Sequence, residues 1–249
     1  YYENVGSAAS PSYEAVTGSA NPFDGIDVGD YSKPTFADLD GDGDLDLVVG
    51  EWDGVLNYYE NVGNATSPTY EAVTGTANPF DGIDVGVNSK PAFVDLDGDG
   101  DLDLVVGEGH GPLNYFENVG SAASPTYEAR TGAANPFDGI DVKGEENGYS
   151  APALADLDGD GDLDLVVGEA LGTLLYYEIV GSAASPSYAA VTGAASPFDG
   201  IDIFGGYSAH ALADVDGDGD LDLIVGEVGG ALYYYENVGS AASPSYEAV

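Results

Sequence analysis

The feature that most constrains this chain is its self-similarity. The hexapeptide YYENVG at Tyr1 returns as YYENVG at Tyr58, YFENVG at Tyr115, YYEIVG at Tyr176 and YYENVG at Tyr234. Glu3, Glu60, Glu117, Glu178 and Glu236 are therefore spaced 57, 57, 61 and 58 residues apart, the longer third interval carrying the extra KGEENG around Lys143. A unit of this size cannot bury its apolar face alone and must stack on its neighbours, which leaves solenoids, propellers and open arrays as the available architectures.

Within a unit the order is SKPTFADLDGDGDLDLVVGE, then DGVLNYYENVG, then SPTYEAVTG, then ANPFDGIDVG. β-Branched and aromatic residues sit in short runs bounded by Gly, Pro, Asn and Asp, and helical periodicity is absent, so the runs read as strands. Four strands per unit are expected, near Pro34 to Ala37, Leu45 to Gly50, Val55 to Asn61 and Thr69 to Val73. The LDLVVG run is apolar on both faces and belongs at the centre of a sheet. The more polar SPTYEAV belongs at its edge. The units divide as 18–74, 75–131, 132–192 and 193–249, after a half repeat at 1–17 that supplies the last two strands of a preceding unit.

The pattern PxFxDLDGDGDLDLVVGE followed by DGxLxYYENVG resembles the FG-GAP or VCBS repeat of bacterial surface proteins and, in diverged form, of integrin α-chain propellers. The resemblance implies one four-stranded blade per repeat, calcium in each blade's loop, and complete propellers commonly of seven blades. The expected fold class is all-β: tandem four-stranded antiparallel blade-like repeats of β-propeller type. The first sixteen residues are identical to the last sixteen, Tyr234 to Val249, so both ends supply the same two strands rather than complementary halves of one blade. That points to an open array or part of a larger assembly rather than a closed disc, and to a segment of a longer tandem chain.

The nonapeptide DLDGDGDLD occurs at Asp38, Asp95 and Asp156, and as DVDGDGDLD at Asp214. Its D-x-D-x-D-G-x-x-D spacing suits a hard cation that takes six to eight oxygens. The expected ligands of the first loop are Asp38, Asp40 and Asp42 around one centre, with Gly43 as the turn, Asp44 offering its carbonyl and Asp46 closing the site from the next strand. The same roles fall on Asp95, Asp97, Asp99, Asp101 and Asp103; on Asp156, Asp158, Asp160, Asp162 and Asp164; and on Asp214, Asp216, Asp218, Asp220 and Asp222. About four Ca²⁺ are expected, one per loop. The twelfth position, where an EF-hand carries glutamate, is Val49, Val106, Val167 or Val225, so the loop is not a helix-loop-helix sensor. Magnesium prefers strict octahedral sites and zinc prefers nitrogen or sulfur. The plain alternative is an acidic solvated turn.

With 45 acidic residues against 4 basic ones, the net charge of -41 excludes a basic patch for nucleic acid and disfavours anionic membrane surfaces. There is no cysteine for a disulfide or thiolate site, and no apolar run approaches a membrane span. Four copies of one feature do not make a catalytic site, which needs distinct roles in one place, so the chain is not expected to be an enzyme. His110 and His210 occupy non-equivalent places in their units. The FDGID segments, with Asp24 and Asp27, Asp81 and Asp84, Asp138 and Asp141, and Asp199 and Asp202, read as turns with a buried Phe and Ile, a second cation site being the alternative. Glu51, Glu108, Glu169 and Glu227 could add a ligand or bond a neighbouring blade.

The 18 tyrosines read as packing between layers with hydroxyls outward, or as a sugar-stacking surface. Asn64-Ala65-Thr66 is a glycosylation sequon, and the Ser-Pro loops are O-glycan candidates. The functional expectation is an extracellular or cell-surface, calcium-stabilised structural protein, a segment of a filament or adhesin. Its partners would be calcium, copies of itself or adjacent repeats in a polymer, and glycans, attached or bound. A carbohydrate- or protein-binding propeller fragment of lectin type is the alternative.

Overall fold

The computed structural model describes residues 1–140, 142, 149–181, 186–201 and 209–249. Each repeat forms one antiparallel sheet whose strands follow chain order. Blade 1 comprises β3 (Lys33–Ala37), β4 (Asp46–Gly50), β5 (Leu56–Asn61) and β6 (Tyr70–Val73). Blade 2 comprises β7 (Lys90–Val94), β8 (Asp103–Gly107), β9 (Leu113–Asn118) and β10 (Tyr127–Arg130). Blade 3 comprises β11 (Ala151–Ala155), β12 (Asp164–Gly168), β13 (Leu174–Ile179) and β14 (Tyr188–Val191). Blade 4 comprises β15 (Ala209–Ala213), β16 (Asp222–Gly226), β17 (Leu232–Asn237) and β18 (Tyr246–Ala248). The half repeat gives a two-stranded sheet, β1 (Tyr2–Asn4) with β2 (Tyr13–Ala15). Observed and expected strand limits in the first unit agree within a residue or so, since Gly, Pro and Asp bound each run.

The LDLVVG strands are central, and every residue of β4, β8 and β12 is buried. Successive side chains of a strand point to opposite faces. Val48 thus joins Leu56 and Tyr58 against blade 2, which offers Leu104 and Val106 in return. Val105, Leu113 and Tyr115 meet Leu165 and Val167, and Val166, Leu174 and Tyr176 meet Leu223 and Val225. A strand with two buried faces must be apolar throughout, and this one serves two blade interfaces at once.

Between blades sits the phenylalanine of the NPFDG or SPFDG turn. Phe80 lies edge-on to Tyr58 at 5.9 Å and stacks on Tyr127 at 5.2 Å. Phe137 does the same with Tyr115 and Tyr188, and Phe198 with Tyr176 and Tyr246. The turn itself is held by the residue at its start, an asparagine in the bond from the Phe80 N–H to Asn78 Oδ1 at 2.9 Å and a serine in that from the Phe198 N–H to Ser196 Oγ at 3.2 Å. The FDGID segments are therefore turns, with the phenylalanine buried at Phe80, Phe137 and Phe198 and partly exposed at Phe23. Asp141 and Asp202 lie outside the described residues.

The blades and the half repeat are arranged as a ring, which differs from the open array expected of identical ends. Phe23 meets Tyr1 of the half repeat edge-on at 5.8 Å and stacks on Tyr70 at 5.2 Å, repeating the geometry of Phe80. On its other side the half repeat touches blade 4. A side-chain carbon placed on Gly41 would lie 3.1 Å from the methyl of Ala123 in the next blade, and one on Gly159 would lie 3.2 Å from that of Ala242. One on Gly217 would lie 3.3 Å from that of Ala8. The half repeat thus makes the inter-blade contacts of a fifth position with its two outer strands alone. Identical ends do not prevent this, because the contacts at each flank are those that any successive pair of blades makes.

Removing the inter-blade phenylalanine should expose how much this stacking contributes. Phe137, with 1% exposure, is expected to cost about 3–5 kcal/mol on substitution by alanine. Phe23, partly exposed beside the half repeat, should cost clearly less when changed the same way. Urea denaturation of the two variants measures the difference.

Candidate metal centre

The acidic loops join the first strand of each blade to the second, at one end of the sheet. Gly41 and Gly43 take positive φ, 76° and 93°, which folds the loop back on itself. Their N–H groups then donate to the two oxygens of Asp38, at 2.8 Å to Oδ1 and 3.1 Å to Oδ2. Further N–H donors along the loop orient the next two side chains: Asp42 to Asp40 Oδ1 at 3.1 Å, and Asp44 to Asp42 Oδ1 at 2.9 Å. Gly98 and Gly100 hold Asp95, Gly159 and Gly161 hold Asp156, and Gly217 and Gly219 hold Asp214 in the same way.

The outcome is four clusters: Asp38 with Asp40 and Asp42; Asp95 with Asp97 and Asp99; Asp156 with Asp158 and Asp160; Asp214 with Asp216 and Asp218. In each, one oxygen per carboxylate lies within 4.8 Å of the others. Like charges held this close repel one another, and solvent screens the repulsion only in part where the carboxylates are half-buried. A donor set of carboxylate oxygens, without nitrogen or sulfur, fits a hard cation such as Ca²⁺. The side chains of Asp44, Asp101, Asp162 and Asp220 are not among these converging carboxylates, and the role expected of them is through their main-chain carbonyls.

Asp46, Asp103, Asp164 and Asp222 also stand outside the clusters, and they are nearly fully buried at the start of the second strand. Asp46 Oδ2 accepts from the Leu39 N–H and the Tyr58 hydroxyl, both at 3.1 Å, and Oδ1 accepts from the Asn61 N–H at 2.8 Å. Asp103 is held by Leu96, Tyr115 and Asn118, Asp164 by Leu157, Tyr176 and Ile179, and Asp222 by Val215, Tyr234 and Asn237. Burial pushes the Asp103 and Asp164 carboxyls up to about 6, against the opposing pull of these donors. Tyr58, Tyr115 and Tyr176 are driven far above the ordinary phenol range by burial and by the carboxylate each one faces.

A second tyrosine secures the same loop. Tyr70, Tyr127, Tyr188 and Tyr246 on the outermost strands donate to the main-chain carbonyls of Leu45, Leu102, Leu163 and Leu221 at 3.3, 3.1, 3.2 and 3.1 Å. These hydroxyls point at the loop rather than outward as a ladder. The signal was available in the fixed intervals: twelve residues from each buried Asp to its tyrosine, and twenty-five from each leucine to the other.

The remaining candidates do other work. Glu51 and Glu108 bond the next blade through their main chain, their N–H groups reaching Ser89 and Ser150 Oγ at 2.9 Å. The Glu227 side chain accepts from Gly229 and Ala231 in its own turn, and the Glu169 side chain from Thr173 Oγ1. His110 is exposed, while His210 lies on β15, where burial lowers its imidazole to about 4. Asn64 is exposed in a turn in which its Oδ1 accepts from the Thr66 N–H and hydroxyl.

Four equivalent blades, each with an acidic loop braced by two tyrosines, define a propeller-type repeat protein. The chain belongs to the FG-GAP repeat family: the FG-GAP-like repeat matches residues 38–106 and 95–167, and the FG-GAP repeat matches 147–188. No curated protein matches the sequence. Among solved structures, it is similar to an Agrocybe aegerita lectin described as recognising non-reducing terminal N-acetylglucosamine. The identity is 20%, over 87% of this chain and 51% of the lectin, with a TM-score of 0.49. The Tc holotoxin pore of Photorhabdus luminescens is similar at 19% identity over 81% of this chain and 9% of the toxin, with a TM-score of 0.40. The chain thus spans about half of the lectin and under a tenth of the toxin chain.

Replacing Tyr115 by phenylalanine leaves the buried Asp103 one donor short. The expected cost is about 1.5–3 kcal/mol, the range for hydrogen bonds to charged groups, read as a lower denaturation midpoint with an unchanged slope.

Proposed function

We propose that this protein is an extracellular, calcium-stabilised structural module, a segment of a filament or surface adhesin, that acts through a rigid shape and not through catalysis. The observation that carries this reading is that the same three carboxylates converge in all four blades. Bound calcium would supply positive charge where each loop concentrates negative charge. Asp38, Asp40 and Asp42 would hold it in blade 1, Asp95, Asp97 and Asp99 in blade 2, Asp156, Asp158 and Asp160 in blade 3, and Asp214, Asp216 and Asp218 in blade 4. Because the unfolded chain has no such clusters, binding energy becomes folding energy.

Location follows from supply. Calcium reaches millimolar levels outside cells, where even weak sites fill, and FG-GAP repeats are typical of extracellular proteins. Among the described residues no helix is long and apolar enough to cross a membrane. Four calcium ions would offset only part of the net charge of -41, which also keeps such modules soluble and free of nucleic acid. Given the ring, such a polymer would consist of propeller units joined end to end, with adjacent repeats or copies of the chain as neighbours.

Chelation is the decisive test. A site saturated a thousandfold over its Kd contributes about 4 kcal/mol, and 1 kcal/mol shifts the melting temperature of a chain this size by roughly 2–4 °C. Excess EGTA should therefore lower the melt by on the order of 10 °C for each loaded site, and calorimetric titration should return about four Ca²⁺. An unchanged melt would remove the calcium assignment. Electron microscopy of the full-length natural material in millimolar calcium separates the roles: filaments support a polymer, whereas discrete discs that bind a sugar on a glycan array would assign recognition instead.

A further inference from the structure

We infer that Lys33 and Lys90, on adjacent blades at the axis of the ring, form a binding site for a small oxyanion of the sulfate or phosphate type. The inference does not depend on the role proposed above. Between successive blades, first strand packs on first strand, β3 on β7, β7 on β11 and β11 on β15, so these strands line the axis. Lys33 opens β3 and Lys90 opens β7, the same register position in each. That position is Ala151 in β11 and Ala209 in β15, so the other two blades contribute only a methyl group at this level.

The charge balance of the chain makes this placement informative. Against 45 acidic residues it has three lysines and one arginine. Arg130 does what a base in such surroundings should do, pairing with Glu117 at 2.8 Å and Glu128 at 2.9 Å. Lys143 lies outside the described residues. Lys33 and Lys90 have no carboxylate within ion-pair distance among the described residues, although acids outnumber bases about tenfold.

Lys90 is 7% exposed, and its ammonium donates to the Tyr149 carbonyl at 2.9 Å and lies 5.6 Å from the centre of the Tyr149 ring. An ammonium has three donors, so two remain. By register, Asn88 stands to Lys33 as Tyr149 stands to Lys90: both lie two residues before a first strand, with φ of 58° and 45°. No bond forms there. Lys33, partly buried, makes no hydrogen bond to a described residue, and Asn88, 2% exposed, has an Oδ1 without a partner. From the fourth blade comes His210, whose ring nitrogens are buried and likewise unpartnered.

These groups act on one another. Burial and then Lys33 lower the Lys90 ammonium to about 7, and Lys90 in turn opposes protonation of His210, against the main chain of Val166, which favours it. Buried charges are either paired or given up. An oxyanion set between β3 and β7 supplies the missing partner, accepting the spare ammonium donors of both blades, and the Asn88 amide can turn to add an N–H. Hydrogen bonds of this charge-assisted kind are about twice as strong as neutral ones. The ammonium groups repel a metal cation, so the axis and the acidic loops select opposite charges.

With three lysines, a chain labelled with ¹³C-lysine reports each side chain separately by NMR. Sulfate is titrated into it in millimolar calcium, at a pH below the Lys90 titration, against sodium chloride of equal ionic strength. Saturable shifts of the Lys33 and Lys90 Cε signals are expected, with Lys143 unmoved and the melting temperature raised. Lys33→Met and Lys90→Met should each weaken sulfate binding at least tenfold while leaving the calcium stoichiometry unchanged, and Lys33→Gln, which keeps a polar tip, covers the case in which a methionine variant does not fold. The inference is overturned if chloride reproduces the shifts, if neither signal moves, or if Lys33→Gln binds sulfate as the parent chain does. A purely structural role for the lysines, which also overturns it, would appear as variants that melt lower than a parent chain whose own melt ignores sulfate.

Discussion

The structure depends on one buried carboxylate per blade. Asp46, Asp103, Asp164 and Asp222 each lie at the foot of the central strand, and each gathers a loop N–H, a tyrosine hydroxyl and an N–H from the third strand. A buried charge without such partners is costly and neutralises instead. With them it becomes a knot tying the first turn of the acidic loop to the third strand of the sheet. The second tyrosine draws the end of the same loop to the outermost strand. All four strands of a blade therefore converge on its loop, and the three outer carboxylates are oriented by main-chain donors. The sheet holds the charges together; it does not need to be shaped by them.

Much of this was legible in the repeat. Strand limits were readable because Gly, Pro and Asp bound every run, and the central position of LDLVVG was readable because only a strand buried on both faces is apolar at every residue. Asp38, Asp40 and Asp42 were readable as a cluster from alternation alone. The other half of the acidic motif was not. Asp46 matches its neighbours in type, and what separates it is burial under Tyr58 and Asn61, which the strand pairing decides. Reading the tyrosines as a ladder failed for the same reason: the destination of a hydroxyl depends on which loop folds over it. The arrangement of the ends was illegible for another reason, since it rests on contacts between blades, such as those of Phe80 and its equivalents, and not on any local propensity.

Departures from the repeat show which of these ties tolerate loss. Asn61 Oδ1 accepts from the Gly63 and Thr69 N–H groups and so pins the loop between the two outer strands. In blade 3 this residue is Ile179, which has no oxygen to offer. Its N–H still reaches Asp164, at 3.2 Å. The buried carboxylate thus keeps its three donors in every blade, while the outer loop gives up two bonds in one of them.

The close approach of Gly41 to Ala123, of Gly159 to Ala242 and of Gly217 to Ala8 has a consequence for how such a chain can diverge. The two members of each pair belong to different repeats, so a bulkier side chain in one copy collides with another copy and not with its own sheet. Divergence is then policed across boundaries. A repeat that drifts must find a neighbour that has drifted to match, and around a ring that demand returns to its origin. Shuffling, duplicating or deleting whole units leaves every pair intact, so change by the unit meets less resistance here than change by the residue.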